Sequence, residues 1–304
     1  MKHIKRGFLL LAFNSNEMDY IKMACCCALS IKSHLKYNHV SLVTDNSITW
    51  LEKLMSIDEI KKIFDEIIII DSPKDQNIRV HYDSPWTKFQ APFLNGNRSN
   101  VYEISPYEET ILLDVDYLVM GNMLDLVWDN TEDFLINQNA VNLRNEKFHS
   151  KEIRLSEDGI PMYWATLIYF KKSELSKLIF DLTIFIKENY LFYKHLYKFP
   201  GSIFRNDYAF SIAMHIINGF NEDDTTSFPN PIIRTMDQKD DIVEVGNDNI
   251  LFLSHDTKEA WVNNLINLKN TDVHIMNKRA FLRHSDELIK LFLENRKETN
   301  SGDE

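Results

Sequence analysis

Residues 111–116 read Ile-Leu-Leu-Asp-Val-Asp, a short apolar run that ends directly in two carboxylates separated by one residue. Three consecutive aliphatic residues are typical of a strand that is buried on both faces, as the strands of parallel sheets are. In an extended segment the side chains of Asp114 and Asp116 leave on the same side, whereas Val115 points the other way, into the core. Two adjacent carboxylates without a counter-charge are costly at the end of a central strand, so their position favours a binding role.

The chain around this strand alternates between the patterns of buried strands and amphipathic helices. Strands are predicted over residues 8–13, 40–43 and 67–70, and helices over residues 17–36, 47–64 and 86–94. This alternation predicts a parallel, doubly wound α/β sheet with right-handed crossovers. Ligands of such sheets bind beyond the carboxyl ends of the strands, where Asp45, Asp71 and the 114/116 pair are expected.

The second half of the chain is less regular. A strand is predicted over residues 163–170, followed by a helix with an apolar face between residues 175 and 186 and by a deeply buried helix over residues 207–217. Further predicted elements are a loop over 223–241, a strand over 250–253 and a final helix over 281–293. Because no repeat or linker interrupts the chain, we predict a single domain over residues 1–304, with a disordered tail over residues 296–304.

Charge limits the classes of partner. The formal net charge is −11, so the molecule as a whole repels nucleic acid and anionic membranes, and no run of lysine and arginine indicates a local exception. We therefore predict no strong nucleic-acid binding. The acidic balance favours a small ligand that is chelated through a metal ion.

Three consecutive cysteines, Cys25 to Cys27, point in different directions on a helix and cannot form a disulfide framework or a metal site. We expect them to serve ordinary helix packing. The apolar run over residues 7–13 is at the short limit for a signal peptide and lacks a cleavage site, and no segment approaches the ~20 apolar residues of a membrane span. A cytoplasmic location is therefore expected.

The carboxylate pair suits a divalent cation. Two hard oxygen ligands at the mouth of a parallel sheet can hold Mn²⁺ or Mg²⁺, with the oxygens of a diphosphate completing the coordination shell. The ion would neutralise the charge that develops on a departing diphosphate. The alternative is a solvated strand end with no ligand, since an Asp-x-Asp pattern also arises by chance.

Two segments carry a family resemblance. Thr87-Lys88-Phe89, followed at the right distance by residues 111–122 (ILLDVDYLVMGN), resembles the core of the glycogenin-like GT-A glycosyltransferases of family 8. The resemblance covers about the first 125 residues and implies a GT-A fold, which is Rossmann-like with a mainly parallel central sheet flanked by helices. It also implies a nucleotide-sugar donor, usually linked to UDP, and a divalent metal. Residues 1–125 would then form the nucleotide-sugar-binding half and residues 126–295 the acceptor-side half.

The resemblance assigns roles to residues of the first half. Ala12, Phe13 and Asn14 at the exit of the first strand would lie against the nucleotide base. Lys88 would face the phosphates or the sugar of the donor, a role that suits a point-charge donor. A surface lysine that caps a helix is the alternative interpretation of Lys88.

The third metal ligand has two candidates. Residues 253–261 (LSHDTKEAW) resemble a family loop in which a histidine binds the metal, which suggests His255, with Lys258 of the same loop among the donor-binding residues. The match is imperfect, because the spacing is shorter and the glycine and proline of the family loop are absent. His274, within residues 273–278 (VHIMNK), is the alternative ligand.

The sugar pocket departs from the family pattern. Residues 162–166 (MYWAT) replace the usual Asn-x-Gly, and Trp164 offers an aromatic face for a sugar ring, with core packing as the alternative. Asp207 stands where the family has an aspartate that contacts donor or acceptor sugar, although it could instead be the N-cap of the following helix. The predicted catalytic residues are Asp207 and Lys88. The predicted donor-binding residues are Ala12, Phe13, Asn14, Asp45, Lys88, Asp114, Val115, Asp116, Trp164 and Lys258.

These observations predict a metal-dependent, hexosyltransferase-like enzyme that uses a nucleotide diphosphate sugar, with an acceptor that is a glycan, a protein or a modified nucleobase. The second half of the chain resembles phage-encoded members. One alternative is a nucleotidyltransferase, but residues 13–17 (FNSNE) lack the glycine-rich phosphate loop expected after the first strand. The other is a non-catalytic module that binds nucleotide sugars without needing a metal.

Overall fold

The computed structural model describes residues 5–72, 77–94, 96–147, 154–157, 159–201, 203–221, 227–228, 233–255 and 261–300 of the chain. The strands, in chain order, are β1 (Arg6–Leu11), β2 (Val40–Thr44), β3 (Glu66–Ile69), β4 (Asn77–Tyr82), β5 (Lys88–Phe93), β6 (Glu109–Leu113), β7 (Tyr117–Leu118), β8 (Phe134–Asn137), β9 (Ala140–Asn142), β10 (Trp164–Lys171), β11 (Ile233–Met236), β12 (Asp241–Val245), β13 (Asn249–His255), β14 (Asn263–Lys269) and β15 (Val273–Ile275). The helices are α1 (Tyr20–His34), α2 (Ile48–Leu54), α3 (Ile57–Ile63), α4 (Val101–Ile104), α5 (Glu174–Glu188), α6 (Tyr190–Tyr197), α7 (Asn206–Ile217) and α8 (Lys278–Asn300).

The central sheet has six strands in the order β3-β2-β1-β6-β10-β8. The first four are parallel, β10 runs antiparallel to β6, and β8 runs antiparallel to β10. Strand β6 lies in the interior of this sheet with all its residues buried, because its continuous aliphatic run can be covered on both faces. The predicted α/β class, with a mainly parallel central sheet flanked by helices, is confirmed.

A second sheet extends the carboxyl end of β6. Its order is β7-β15-β11-β9, and β15 runs antiparallel to β7 with His274 opposite Tyr117. The backbone N–H of Ile275 donates to the carbonyl of Asp116 at 2.8 Å. This pairing brings a segment near the end of the chain beside the carboxylates that follow β6.

Helix α1 packs between the central sheet and α8. Its three cysteines are free and fully buried, and burial raises the pKa of each thiol. The Cys26 thiol donates to the carbonyl of Ser285 in α8 at 3.5 Å. The cysteines therefore serve helix packing, as predicted.

One predicted element was wrong, and one correctly predicted strand is less buried than expected. Residues 88–93 form β5, antiparallel to β4, in place of a helix over 86–94. Phe89 and Ala91 are covered while Lys88 and Gln90 are exposed, an alternation with the period of a strand. The apolar strand β3 is not buried either: it lies at the edge of the sheet, with Ile69 54% exposed.

Other boundaries differ from the prediction. The helix predicted over 47–64 is divided into α2 and α3 at Ser56, whose capping box with Glu59 begins α3. The loop predicted over 223–241 contains β11 in its described part. Helix α8 begins at Lys278 and its backbone is helical as far as Asn300, so it includes the first residues of the predicted tail, while residues 301–304 lie outside the described chain.

Candidate functional site

An open cleft of about 1070 Å³, including the solvent at its mouth, lies beyond the carboxyl ends of β1 and β6. The hairpin of β4 and β5 forms one wall, and the start of β10 with the first turn of α7 forms another. Strand β15 and the first residue of α8 complete its floor. This is the edge of a parallel sheet at which ligands are expected to bind.

Three side chains that could hold a metal ion meet on the floor of the cleft. Asp114, Asp116 and His274 each offer one ligand atom, and these atoms lie within 4.8 Å of one another. A turn after β6 aims the two carboxylates, with the N–H of Tyr117 donating to the carbonyl of Asp114 at 3.1 Å. Two carboxylate oxygens and one imidazole nitrogen are a donor set that fits Mn²⁺ or Mg²⁺.

Asp116 is buried and contacts two side chains of residues 274–278. Lys278 donates from Nζ to Oδ2 of Asp116, and Nε2 of His274 lies 3.4 Å from Oδ1. Burial alone would raise the pKa of Asp116, but Lys278 and His274 hold that pKa well below its ordinary value. Burial alone would lower the pKa of Lys278, but the adjacent Asp116 outweighs burial and raises the pKa of Lys278 above its ordinary value. The pair is therefore ionised, and Lys278 neutralises a carboxylate that a metal ion would use.

Asp114 is held by a second buried cation. Nη1 of Arg98 lies 2.7 Å from Oδ1 of Asp114, and Arg98 is only 1% exposed. Nη2 of the same guanidinium donates to the carbonyls of Ala165 and Thr166. Burial raises the pKa of Asp114, and Arg98 opposes that shift. Arg98 thus links the end of β6 to the start of β10.

Asp207 lies on the opposite wall. Its Oδ1 accepts from the N–H of Ala165 at 3.0 Å, and its Oδ2 lies 3.0 Å from Nη2 of Arg205. Although burial would raise the pKa of Asp207, Arg205 lowers it, so the carboxylate is ionised. Arg205 occupies the N-cap position of α7, so the alternative interpretation of Asp207 as the N-cap was wrong.

Arg79 of β4 adds a further cation to the cleft. Its guanidinium lies 3.5 Å from the ring centroid of Phe93 and donates to the carbonyl of Phe204 at 3.3 Å. Burial and the nearby Arg205 lower the pKa of Arg79 to about 10, which leaves it charged at neutral pH. Four cations, Arg79, Arg98, Arg205 and Lys278, therefore line one cleft in an acidic protein. Three of them pair with Asp114, Asp116 and Asp207 of the same cleft, so the arrangement suits an anionic ligand that is bound together with a cation.

The structure brings together only part of the predicted site. The predicted residues that line the cleft are Phe13, Asp114, Val115, Asp116, Trp164, Asp207 and His274. Among the described residues, Ala12, Asn14, Asp45, Lys88 and His255 do not line it. Lys258 lies outside the described residues.

Three of the absent residues have local structural roles. Ala12 is buried in the core. Oδ1 of Asn14 accepts from the N–H of Ile21 at 2.9 Å, which fixes the start of α1. Asp45 accepts from the N–H of Ser47 at 2.8 Å and from the hydroxyl of Ser72; burial opposes its charge, but these hydrogen bonds lower its pKa.

Lys88 and His255 lie elsewhere. Lys88 is exposed on β5, because the segment is a strand whose alternate residues face solvent. The N–H of His255 donates to Asp240 at 2.8 Å, and its ring packs edge-on against Trp86 at 5.8 Å. The structure therefore brings His274, and not His255, beside Asp114 and Asp116.

Sequence analysis assigned a role to none of these four cations. Lys278 follows His274 by four positions, within residues 273–278 that were already considered for a metal ligand, and Arg205 lies two positions before Asp207. Arg98 belongs to a short 3₁₀ turn (Gly96–Asn100) whose sequence, GNRSN, reads as an ordinary polar loop, and no local signal identifies it. Arg79 lies on β4, a strand that sequence analysis did not predict.

No family model matches the chain, and no curated protein matches it. Among solved structures, the chain is similar to the glycosyltransferase GlyE of Streptococcus pneumoniae TIGR4, with 13% identity and a TM-score of 0.41 over 73% of this chain and 44% of that one. It is also similar to mouse xyloside xylosyltransferase 1, with 11% identity and a TM-score of 0.46 over 77% of this chain and 88% of that one. The galactosyltransferase LgtC, in complex with donor and acceptor sugar analogues, shows 13% identity and a TM-score of 0.44 over 68% of this chain and 70% of that one.

The chain spans less than half the length of the GlyE structure. These similar structures are glycosyltransferases, as the GT-A resemblance of the sequence implies. Within the described residues, no helix is long and apolar enough to cross a membrane.

Proposed function

We propose that this protein is a metal-dependent glycosyltransferase that moves a sugar from a nucleotide diphosphate donor to an acceptor. The observation that carries the proposal is the convergence of Asp114, Asp116 and His274 in a cleft that four cations line. A divalent ion and a diphosphate complement this mixture of charges better than either would alone. UDP is the first nucleotide to test, because the family resemblance of the sequence implies it.

Each wall of the cleft has a proposed role. Asp114, Asp116 and His274 would hold Mn²⁺ or Mg²⁺, which when bound stabilises the negative charge of the departing diphosphate. Lys278, in place of the predicted Lys88, donates to the phosphate oxygens. Asp207, ionised and oriented by two hydrogen bonds, accepts from a sugar hydroxyl, and Trp164 beside it packs against the sugar ring.

Nucleotide diphosphate is expected to stabilise the protein only when a divalent cation is present. A ligand that binds the native state at 100 times its Kd adds about 2.7 kcal/mol to the free energy of unfolding. Thermal melting with UDP and Mn²⁺, with each alone, and with EDTA measures this dependence. Equal stabilisation by UDP in EDTA would contradict the metal site, whereas donor binding without sugar transfer or hydrolysis would indicate a non-catalytic module.

Lys278 is expected to have opposite effects on the two ligands. In the wild type the ammonium of Lys278 competes with a metal ion for the carboxylate of Asp116, and Lys278→Met removes that ammonium. Mn²⁺ without nucleotide should therefore raise the melting temperature of Lys278→Met more than that of the wild type. UDP with Mn²⁺ should bind more weakly by ~1.5–3 kcal/mol, the usual contribution of a charged hydrogen bond. Calorimetric titration of both ligands measures the two effects.

Lys88→Met is the matched control, because Lys88 is exposed on β5. It should leave both affinities unchanged. If Lys88→Met bound UDP more weakly while Lys278→Met bound UDP as tightly as the wild type, Lys88 and not Lys278 would be the residue that contacts the phosphates.

A further inference from the structure

Helix α6 presents apolar side chains to solvent. Leu191 and Phe192 are each 62% exposed and Leu196 is 58% exposed, whereas Tyr190 and Tyr193 of the same helix face the interior. The three exposed residues lie within five positions of each other, on one side of the helix. We call them the α6 face.

The α6 face continues onto α5. The rings of Phe185 and Phe192 both contact the ring of Tyr193, with centroids at 6.4 and 5.3 Å. Phe185 is itself more than half exposed, so sequence analysis was only partly right about the apolar side of α5. Ile179 and Ile186 of that helix are buried, whereas Leu178 and Phe185 face outward. Contiguous exposed apolar surface of this kind marks an interaction site.

The segment that contains α6 differs in charge from the chain as a whole. The chain has 45 acidic residues and a net charge of −11, yet residues 189–206 contain no aspartate or glutamate. Lys194 and Lys198 flank the apolar residues, and His195 lies among them. The nearest acidic residue along the chain is Glu188, at the end of α5.

We propose that the α6 face binds the surface of an anionic lipid bilayer. A helix with leucine and phenylalanine on one side and lysines beside them lies in the plane of a membrane, its apolar side among the acyl chains and its lysines at the headgroups. Each such lysine adds about 1 kcal/mol near an anionic surface. A second copy of this chain is a poorer partner, because two-fold contact would bring the lysines of both copies together without acidic residues from 189–206 to compensate.

The α6 face is connected to one wall of the cleft. The hydroxyl of Tyr190 accepts from the N–H of Arg205 at 3.1 Å and donates to the carbonyl of Ile203 at 3.3 Å. Arg205 in turn pairs with Asp207 in the cleft. Docking at α6 would therefore act on the helix that supports Arg205 and, through it, one wall of the cleft; any effect of docking on sugar transfer rests on the proposed function.

Co-sedimentation with vesicles tests the proposal. Vesicles of phosphatidylcholine that contain phosphatidylglycerol should bind the protein ~10-fold or more tightly than vesicles of phosphatidylcholine alone, and salt should reduce the difference. The triple variant Leu191→Ser/Phe192→Ser/Leu196→Ser should bind the anionic vesicles at least ~10-fold more weakly. Since all three side chains are exposed, their loss leaves no cavity in the core.

Two further variants sharpen the test. Lys194→Glu/Lys198→Glu should also bind at least ~10-fold more weakly, and this pair keeps the proposal testable if the triple variant fails to fold. Ile57→Ser/Leu126→Ser removes apolar residues that are 63% and 64% exposed on other surfaces, and it should bind as the wild type does. The proposal would be overturned if the wild type bound both kinds of vesicle equally well. It would also be overturned if the control variant lost as much binding to anionic vesicles as the triple variant does.

Light scattering separates the competing partner. The wild type could form a dimer that is absent in the triple variant and bind no vesicles. That result would assign the α6 face to self-association and overturn the membrane proposal. The stabilisation by UDP and Mn²⁺ does not depend on this face, so the two proposals can fail separately.

Discussion

Replacing Asp116 by asparagine is expected to reduce sugar transfer by ~10³-fold, the scale on which the loss of a fixed electrostatic contact slows catalysis. The amide has nearly the same shape but no charge, so it is a poor ligand for a divalent cation and cannot neutralise Lys278. Donor turnover and Mn²⁺ binding, measured on the same preparation, test both consequences. Asp181→Asn, at an exposed i,i+4 pair with Lys177, is the matched control and should change neither.

Stability separates the catalytic role of Asp116 from its structural one. Asp116→Asn leaves the ammonium of Lys278 buried without its partner, which costs ~3–5 kcal/mol when one member of a buried pair is removed. Adding Lys278→Met removes the stranded charge and should recover most of that stability but none of the activity. If the double variant recovered activity as well, the carboxylate would be structural and the proposed metal site would be wrong.

Arg98→Met is expected to produce a loss of stability of the same size, ~3–5 kcal/mol in the free energy of unfolding. The substitution removes the counter-charge of Asp114 and the donors to the carbonyls of Ala165 and Thr166, all at a buried position. Denaturant unfolding, with the midpoint and slope both recorded, gives the change.

The double variant Arg98→Met/Asp114→Asn tests the assignment to the ion pair. It should be more stable than Arg98→Met alone, because the stranded carboxylate is gone, although the two carbonyls stay without their donor. Additive losses in the two single variants would show that Arg98 stabilises the fold through those carbonyls and not through Asp114.

Local sequence patterns were sufficient for the four parallel strands of the central sheet and for the carboxylates that follow β6. The aliphatic run of residues 111–113 specifies a doubly covered strand, and Asp114 and Asp116 follow it directly, although they lie in a turn and not in the extended segment that was predicted. Both observations depend on neighbouring residues only, which is why they were predictable.

The partners of that pair were harder to predict because they depend on contacts between distant segments. The choice of His274 over His255 follows from the pairing of β15 with β7, which no local pattern of residues 273–278 reveals. Arg98 comes from an irregular turn without any period. Lys88 was misplaced because its segment was interpreted as a helix, although the alternation of Phe89 and Ala91 with polar residues indicated a strand.

Lys278 and Asp116 are 162 positions apart in the chain, and Lys278 is the first residue of α8. Detachment of α8 from α1, even without further unfolding, would thus take Lys278 away from Asp116. Any ligand that needs Lys278 therefore binds only molecules in which α8 is docked, and it shifts the opening equilibrium of this helix by mass action. Occupancy of the cleft should consequently slow amide hydrogen exchange along α8, including at the buried Leu288, although most of the helix does not line the cleft.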